Sequence, residues 1–133
     1  MSIKVLSADD SDVMRNAIAK LLHEEPSTEL VGEAKGFAET IRLSNTLKPD
    51  VLLMELHMSD ERDYPPESVR VEVCATAGCV LAISVWNDEK AKALAERFGA
   101  RALVDKANLY SELIAAIKQN CPPGAWRAVS QKD

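Results

Sequence analysis

Ile3-Lys4-Val5-Leu6-Ser7-Ala8-Asp9-Asp10 runs from an apolar stretch into two adjacent carboxylates, and Val51-Leu52-Leu53-Met54-Glu55 runs from another into a third. The second run has the continuous apolar character of a strand buried on both faces, as a parallel sheet requires. In such a sheet the C-terminal ends of neighbouring strands open onto one crevice, where ligands bind. Asp9, Asp10 and Glu55 would meet there. Carboxylates crowded together resist ionising unless a cation sits among them. A ligand set made only of oxygens suits Mg²⁺, which keeps several waters and bridges to phosphoryl oxygens.

Outward from these two runs, strand-like and helical patterns alternate. Val13, Ile18, Leu21 and Leu22 mark one face of a helix over 12–24, which Pro26-Ser27-Thr28 breaks. Glu29–Ala34 reads as a second strand, and Phe37, Ile41, Leu43 and Leu47 as a second helix. Lys48-Pro49-Asp50 ends it, because the residue before proline is pushed out of the α region. Over 64–78 two signals conflict. Val69-Arg70-Val71-Glu72-Val73 alternates like a strand, whereas Pro65-Pro66-Glu67 is a good helix start. The rhythm of the other elements favours a helix at 65–76. Val80–Ser84 is a fourth strand, and Asn87 caps a helix carrying Ala91, Leu94, Ala95 and Phe98 that ends at Gly99. Ala102–Val104 is a fifth strand and Tyr110–Ile117 a last helix. This rhythm of five β-α units predicts an α/β fold with a doubly wound parallel sheet. The expected domain spans 1–120, with 121–133 as a C-terminal tail or linker after Pro122-Pro123-Gly124.

Composition narrows the function. The 133 residues suffice for one domain, burying roughly two-thirds of the unfolded surface. A net charge of −5 with scattered Lys and Arg speaks against direct nucleic-acid binding or an anionic membrane surface. Neither a membrane-length apolar stretch nor a signal-peptide pattern is evident, so a cytoplasmic location is expected. Cys74, Cys79 and Cys121 make an odd count without CxxC spacing, which predicts reduced and mostly buried thiols.

With these elements in place the chain resembles the receiver domain of two-component response regulators, over residues 2–120, which implies a three-layer flavodoxin-like α/β/α sandwich with a five-stranded parallel sheet in the order 2-1-3-4-5. It is most similar to receivers of the NarL-type helix-turn-helix regulators, through Ile3-Lys4-Val5-Leu6, Val31-Gly32-Glu33-Ala34 and Lys48-Pro49-Asp50-Val51. The family's acidic pair matches Asp9 and Asp10, and its phosphoacceptor aspartate falls on Glu55, within Glu55-Leu56-His57-Met58. Its strand-end hydroxyl falls on Ser84 and its lysine on Lys106. The resemblance implies Mg²⁺, bound weakly here, with Asp10 as direct ligand, Asp9 acting through water, Glu55 adjacent and the backbone carbonyl of His57 supplying a further oxygen. It also implies that Ser84 and Lys106 engage the phosphoryl group. The implied partner is a histidine kinase or another signalling protein, or a second copy of the chain in a homodimer, and the domain is not an enzyme in its own right.

The chain departs from that pattern at the decisive position. Glu55 is one methylene longer than aspartate and places its carboxylate where an incoming phosphoryl group would begin. About 1 Å of misplacement can cost on the order of 100-fold in rate. Ser59 replaces a proline, Asp60-Glu61-Arg62-Asp63 replaces a glycine-rich turn, Ala107 follows the lysine, and Leu103 stands where an aromatic switch is common. The expectation is an atypical receiver that acts by protein–protein contact without phosphorylation. The alternatives are a conventional receiver, phosphorylated by a histidine kinase and forming the N-terminal part of a DNA-binding regulator, and a flavodoxin-like cofactor binder or phosphatase. The last is disfavoured by the lack of Ser, Thr or Gly in the loop after the first strand. Plainer readings remain beside each residue. Asp9 and Asp10 can serve as helix-capping acids. Glu55 and Lys106 can form a structural ion pair, Ser84 can be an ordinary strand-end hydroxyl, and His57 an exposed loop residue. Trp86 is either a partner contact or helix-start packing, and 60–63 a solvated loop.

Overall fold

The apolar runs become β1 (Ile3–Ala8), β2 (Thr28–Ala34), β3 (Val51–Glu55), β4 (Val80–Ser84) and β5 (Leu103–Asp105), paired in parallel in the order β2-β1-β3-β4-β5. They are joined by α1 (Asp12–Glu24), α2 (Phe37–Leu47), α3 (Pro66–Thr76), α4 (Glu89–Arg97) and α5 (Leu109–Asn120). The structure is a computed structural model that describes residues 2–121.

Alternation along the strands divides the core into two layers. Leu6, Ala8, Leu52, Met54 and Ala82 pack with Phe37 of α2, Val69 and Val73 of α3, and Ala91 and Ala95 of α4. Val5, Val51, Leu53, Leu81 and Ile83 pack on the other face with Ile18 and Leu22 of α1 and with Leu113 and Ile117 of α5. The result is the flavodoxin-like α/β/α sandwich.

Register then builds the site. Ala8 pairs with Met54, Met54 with Ala82, and Ser84 with Asp105. The residues that follow, Asp9 and Lys106, therefore emerge beside Glu55 at one end of the sheet.

Local differences from the sequence pattern have physical causes. Val13 was expected on the buried face of α1 but is 78% exposed, and that face is Arg15, Ile18 and Leu22. Arg15 is carried inward by its polar partners. In α3 the alternating valines resolve by helical spacing: Val69 and Val73, four apart, are buried, and Val71 is exposed. The cap of α4 is Asp88 rather than Asn87, its carboxylate accepting from Ala91 N at 2.9 Å. Gly99, at φ 82°, ends that helical segment, and a Cβ there would meet Cys74 Sγ at 2.6 Å. β5 starts at Leu103 rather than Ala102.

The expectation of three reduced thiols is corrected. Cys79 and Cys121 form a disulfide, and Cys74 alone is free and exposed. Sequence spacing could not reveal this pair. The fold sets the residue before β4 beside the residue after α5, with Cα atoms 5.7 Å apart, within disulfide range. Cys121 is also buried in the core. The rest of the expected tail, 122–133, lies outside the described residues. No helix among the described residues is long and apolar enough to cross a membrane.

Candidate functional site

Glu55, at the end of the fully buried β3, turns its carboxylate back on its own chain. Oε2 accepts from the backbone N–H of Leu56 at 2.5 Å and of His57 at 3.1 Å. Oε1 accepts from Lys106 Nζ at 2.5 Å. Both oxygens are therefore engaged, and Glu55 is 8% exposed. Lys106, in a 3₁₀ turn just after β5, also places Nζ 2.7 Å from Asp9 Oδ2. That second contact lacks hydrogen-bond alignment and is held by charge. Burial by itself would lower the lysine's pKa, but Asp9 and Glu55 outweigh it and hold the ammonium above its ordinary value.

Asp9 is buried and serves two more contacts. Its Oδ1 accepts from Ser11 N at 2.9 Å, and Ser11 in turn caps α1 through Met14 N. Its backbone carbonyl accepts from Arg15 Nη1 at 2.6 Å. Arg15 also reaches Asp12 and lies 3.5 Å from Glu33 Oε1. Sequence reasoning missed Arg15, because at helical spacing it reads as one more surface cation. The available signal was its place three residues before Ile18 and seven before Leu22.

The side chains of the remaining expected residues make no hydrogen bond or ion pair with this cluster. Asp10 is exposed. The Ser84 hydroxyl accepts from Trp86 N at 3.0 Å, which closes the turn after β4. The His57 side chain is exposed and pairs with Glu61 at 2.9 Å, while its backbone N–H serves Glu55. The loop 60–63 is more than solvated charge. Asp60 reaches across to the N-terminus of α2, accepting from Phe37 N at 2.9 Å and Ala38 N at 3.1 Å.

The Mg²⁺ implied by the resemblance does not fit this arrangement. Among the described residues no group of three or more His, Cys, Asp or Glu side chains is placed to hold a metal. Asp10 does not join Asp9 and Glu55, and the cation between those two carboxylates is the Lys106 ammonium.

No family model matches the chain. The transcriptional regulatory protein LiaR of Bacillus subtilis is 29% identical over 116 residues, covering 87% of this chain and 54% of that protein. The response regulator domain of Thermotoga maritima CheB superposes with a TM-score of 0.78 at 25% identity, over 91% of this chain and 97% of that one. The chain belongs to the response-regulator receivers. Its relation to the NarL-type branch, and the expected sheet order, stand with that assignment. CheY6 from R. sphaeroides, solved in complex with the P1 domain of CheA3, shares the fold with a TM-score of 0.73 at 20% identity, over 90% of this chain and 98% of that one. This receiver spans about half the length, or less, of the curated relatives it matches.

Proposed function

We propose that this receiver is an atypical one, passing a signal by protein–protein contact with Glu55 holding a single conformation in place of a phosphorylated aspartate. The observation that carries the reading is the occupancy of the Glu55 carboxylate, whose two oxygens already bind two backbone N–H groups and the Lys106 ammonium. A nucleophile must present a free oxygen in line with the phosphoryl donor. Oε2 already accepts two bonds, and the one Glu55 oxygen with a lone pair to spare, Oε1, is drawn onto the Lys106 ammonium. A phosphoryl-aspartate carries about −1.5 to −2 charge and three acceptor oxygens, whereas a glutamate offers one charge and two. It therefore reproduces the lysine contact of such a group but not its pull on the hydroxyl, and Ser84 remains turned toward Trp86.

On this reading Lys106 and Asp9 fix the charge balance of the site, Arg15 holds Asp9 in place, and Asp10 and the His57 carbonyl are left without a metal to bind. The partner is a kinase-type or other signalling protein.

Acetyl phosphate with Mg²⁺ should leave wild-type Glu55 unlabelled by mass spectrometry. Glu55→Asp, which withdraws the carboxylate by one methylene, should gain labelling. Robust labelling of the wild type would instead establish the conventional receiver, phosphorylated by a histidine kinase, which the likeness to LiaR otherwise favours.

A further inference from the structure

A groove of about 490 Å³ opens beside the acidic site, between the loops that follow β3 and β4 and the adjoining face of α4. Trp86, Ala91 and Leu94 give it a mainly apolar lining, and the Trp86 indole is left 62% exposed. A cleft of this size, apolar with a few polar groups, has the make-up of a small-molecule site.

The charges around it divide into spent and unspent. Arg97 is held by Glu67 through two hydrogen bonds at 2.6 and 3.0 Å. The Asp88 carboxylate caps α4, and His57 is paired with Glu61. Lys90 has no hydrogen-bond or ion-pair partner among the described residues. The groove thus offers one flat aromatic face and one uncommitted cation.

We propose that this groove binds a small aromatic anion, its ring stacked on Trp86 against Leu94 and its carboxylate, sulfonate or phosphate on Lys90, as the input that phosphorylation supplies elsewhere in the family. The role as input rests on the atypical-receiver reading, while the binding itself does not. One hydrogen bond connects the groove to the acidic site, and a second connects it to the neighbouring end of β4. The backbone N–H of His57 is bound by Glu55 Oε2 at 3.1 Å, and that of Trp86 by Ser84 Oγ at 3.0 Å. A ligand that shifts either loop residue therefore moves a backbone donor that a buried site residue depends on. A bound ring contributes through apolar area and face-to-face or edge contact with the indole, and the acid group through a charge-assisted hydrogen bond.

The probe is 8-anilino-1-naphthalenesulfonate, with uncharged N-phenyl-1-naphthylamine beside it, added to the whole chain and followed by fluorescence and ¹H–¹⁵N spectra. Binding of the sulfonate should shift amides of residues 57, 86 and 90–97, and carry on to Leu56. Lys90→Glu, at an exposed position, should weaken the sulfonate by about tenfold or more, the worth of one charged hydrogen bond, and leave the uncharged probe unchanged. Trp86→Ala should weaken both probes, and Tyr110→Ala, an exposed aromatic on α5, neither. Absence of binding at millimolar sulfonate, or equal binding by wild type and Lys90→Glu, overturns the site. Labelling of Glu55 by acetyl phosphate, with probe binding intact, overturns only its role as the input.

Discussion

The two ends of the sheet are fastened by different chemistry. At the C-terminal end, Lys106 after β5 draws in Asp9 after β1 and Glu55 at the end of β3, so one ammonium holds three strands. At the N-terminal end, a covalent bond from Cys79 to Cys121 ties β4 to the last turn of α5. A charge cluster is conditional: each member is tolerated only while the others are present, because a buried charge without its partner keeps its desolvation cost and loses its compensation. The disulfide acts largely on the unfolded chain, by restricting it. One end therefore responds to pH and to side-chain removal, and the other to reductant.

The largest effect should come from breaking the charge cluster. Lys106→Met leaves Asp9 and Glu55 buried together without their cation, and should cost about 3–5 kcal/mol in urea unfolding. Adding Glu55→Gln to that variant should recover part of the loss, since it removes one of the stranded charges. The pH dependence has a definite sign. Because the folded-state pKa of Lys106 is raised above 10.5, its contribution is complete below that value and is lost as pH rises through the raised one. Wild-type stability should therefore fall above about pH 10.5 in a component that Lys106→Met lacks. Identical alkaline profiles in the two proteins would show that the ammonium is not what holds this end.

Reduction should have the next largest effect. The disulfide closes a loop of 42 residues in sequence separation, and opening it should cost roughly 2–4 kcal/mol. Oxidised protein should titrate one free thiol, Cys74, and reduced protein all three. Cys79→Ala should unfold at the same denaturant concentration with or without reductant. If the wild type were equally indifferent, the N-terminal end would be held by packing alone.

The same contrast explains what could be read from the sequence. Strand positions and their order were legible because burial on both faces demands unbroken apolar runs, and Val51–Glu55 and Val80–Ser84 supply them. The position of Glu55 beside Lys106 followed from strand ends sharing one edge of the sheet. Contacts made by short polar reach between remote segments were not legible. Cys79 and Cys121 carry no spacing signal, and Arg15 looks like any helix cation until Asp9 and Glu33 are placed around it. Val13 misled for the converse reason, since an apolar residue in the first turn need not face inward. The conflict over 65–76 arose because residues four apart in a helix are also of one parity in a strand, so Val69 and Val73 satisfy both patterns. Only Val71 distinguishes them, and it is exposed.

The smallest expected effect lies between the two ends, in the loop that sequence alone marks as solvated charge. The N-cap of α2 is Gly36, which has no side chain to cap the helix, and Asp60 supplies the missing acceptor from 23 residues downstream of Phe37. The interaction satisfies two N–H groups and places a negative charge at the positive end of the helix dipole. Asp60→Ala should cost about 1 kcal/mol, within the range of lost helix caps, and should speed amide exchange at Phe37 and Ala38 before the rest of α2. Glu61→Ala, next in the same loop but with a side chain bonded only to exposed His57 among the described residues, should do neither. Gly36→Ala gives a second approach, because its Cβ would stand 3.0 Å from the Asp60 carboxylate oxygens. The alanine should therefore cost more in the wild type than in Asp60→Ala, where that crowding is gone. Equal costs in both backgrounds, with unchanged exchange at Phe37, would return loop 60–63 to the role of a solvated turn.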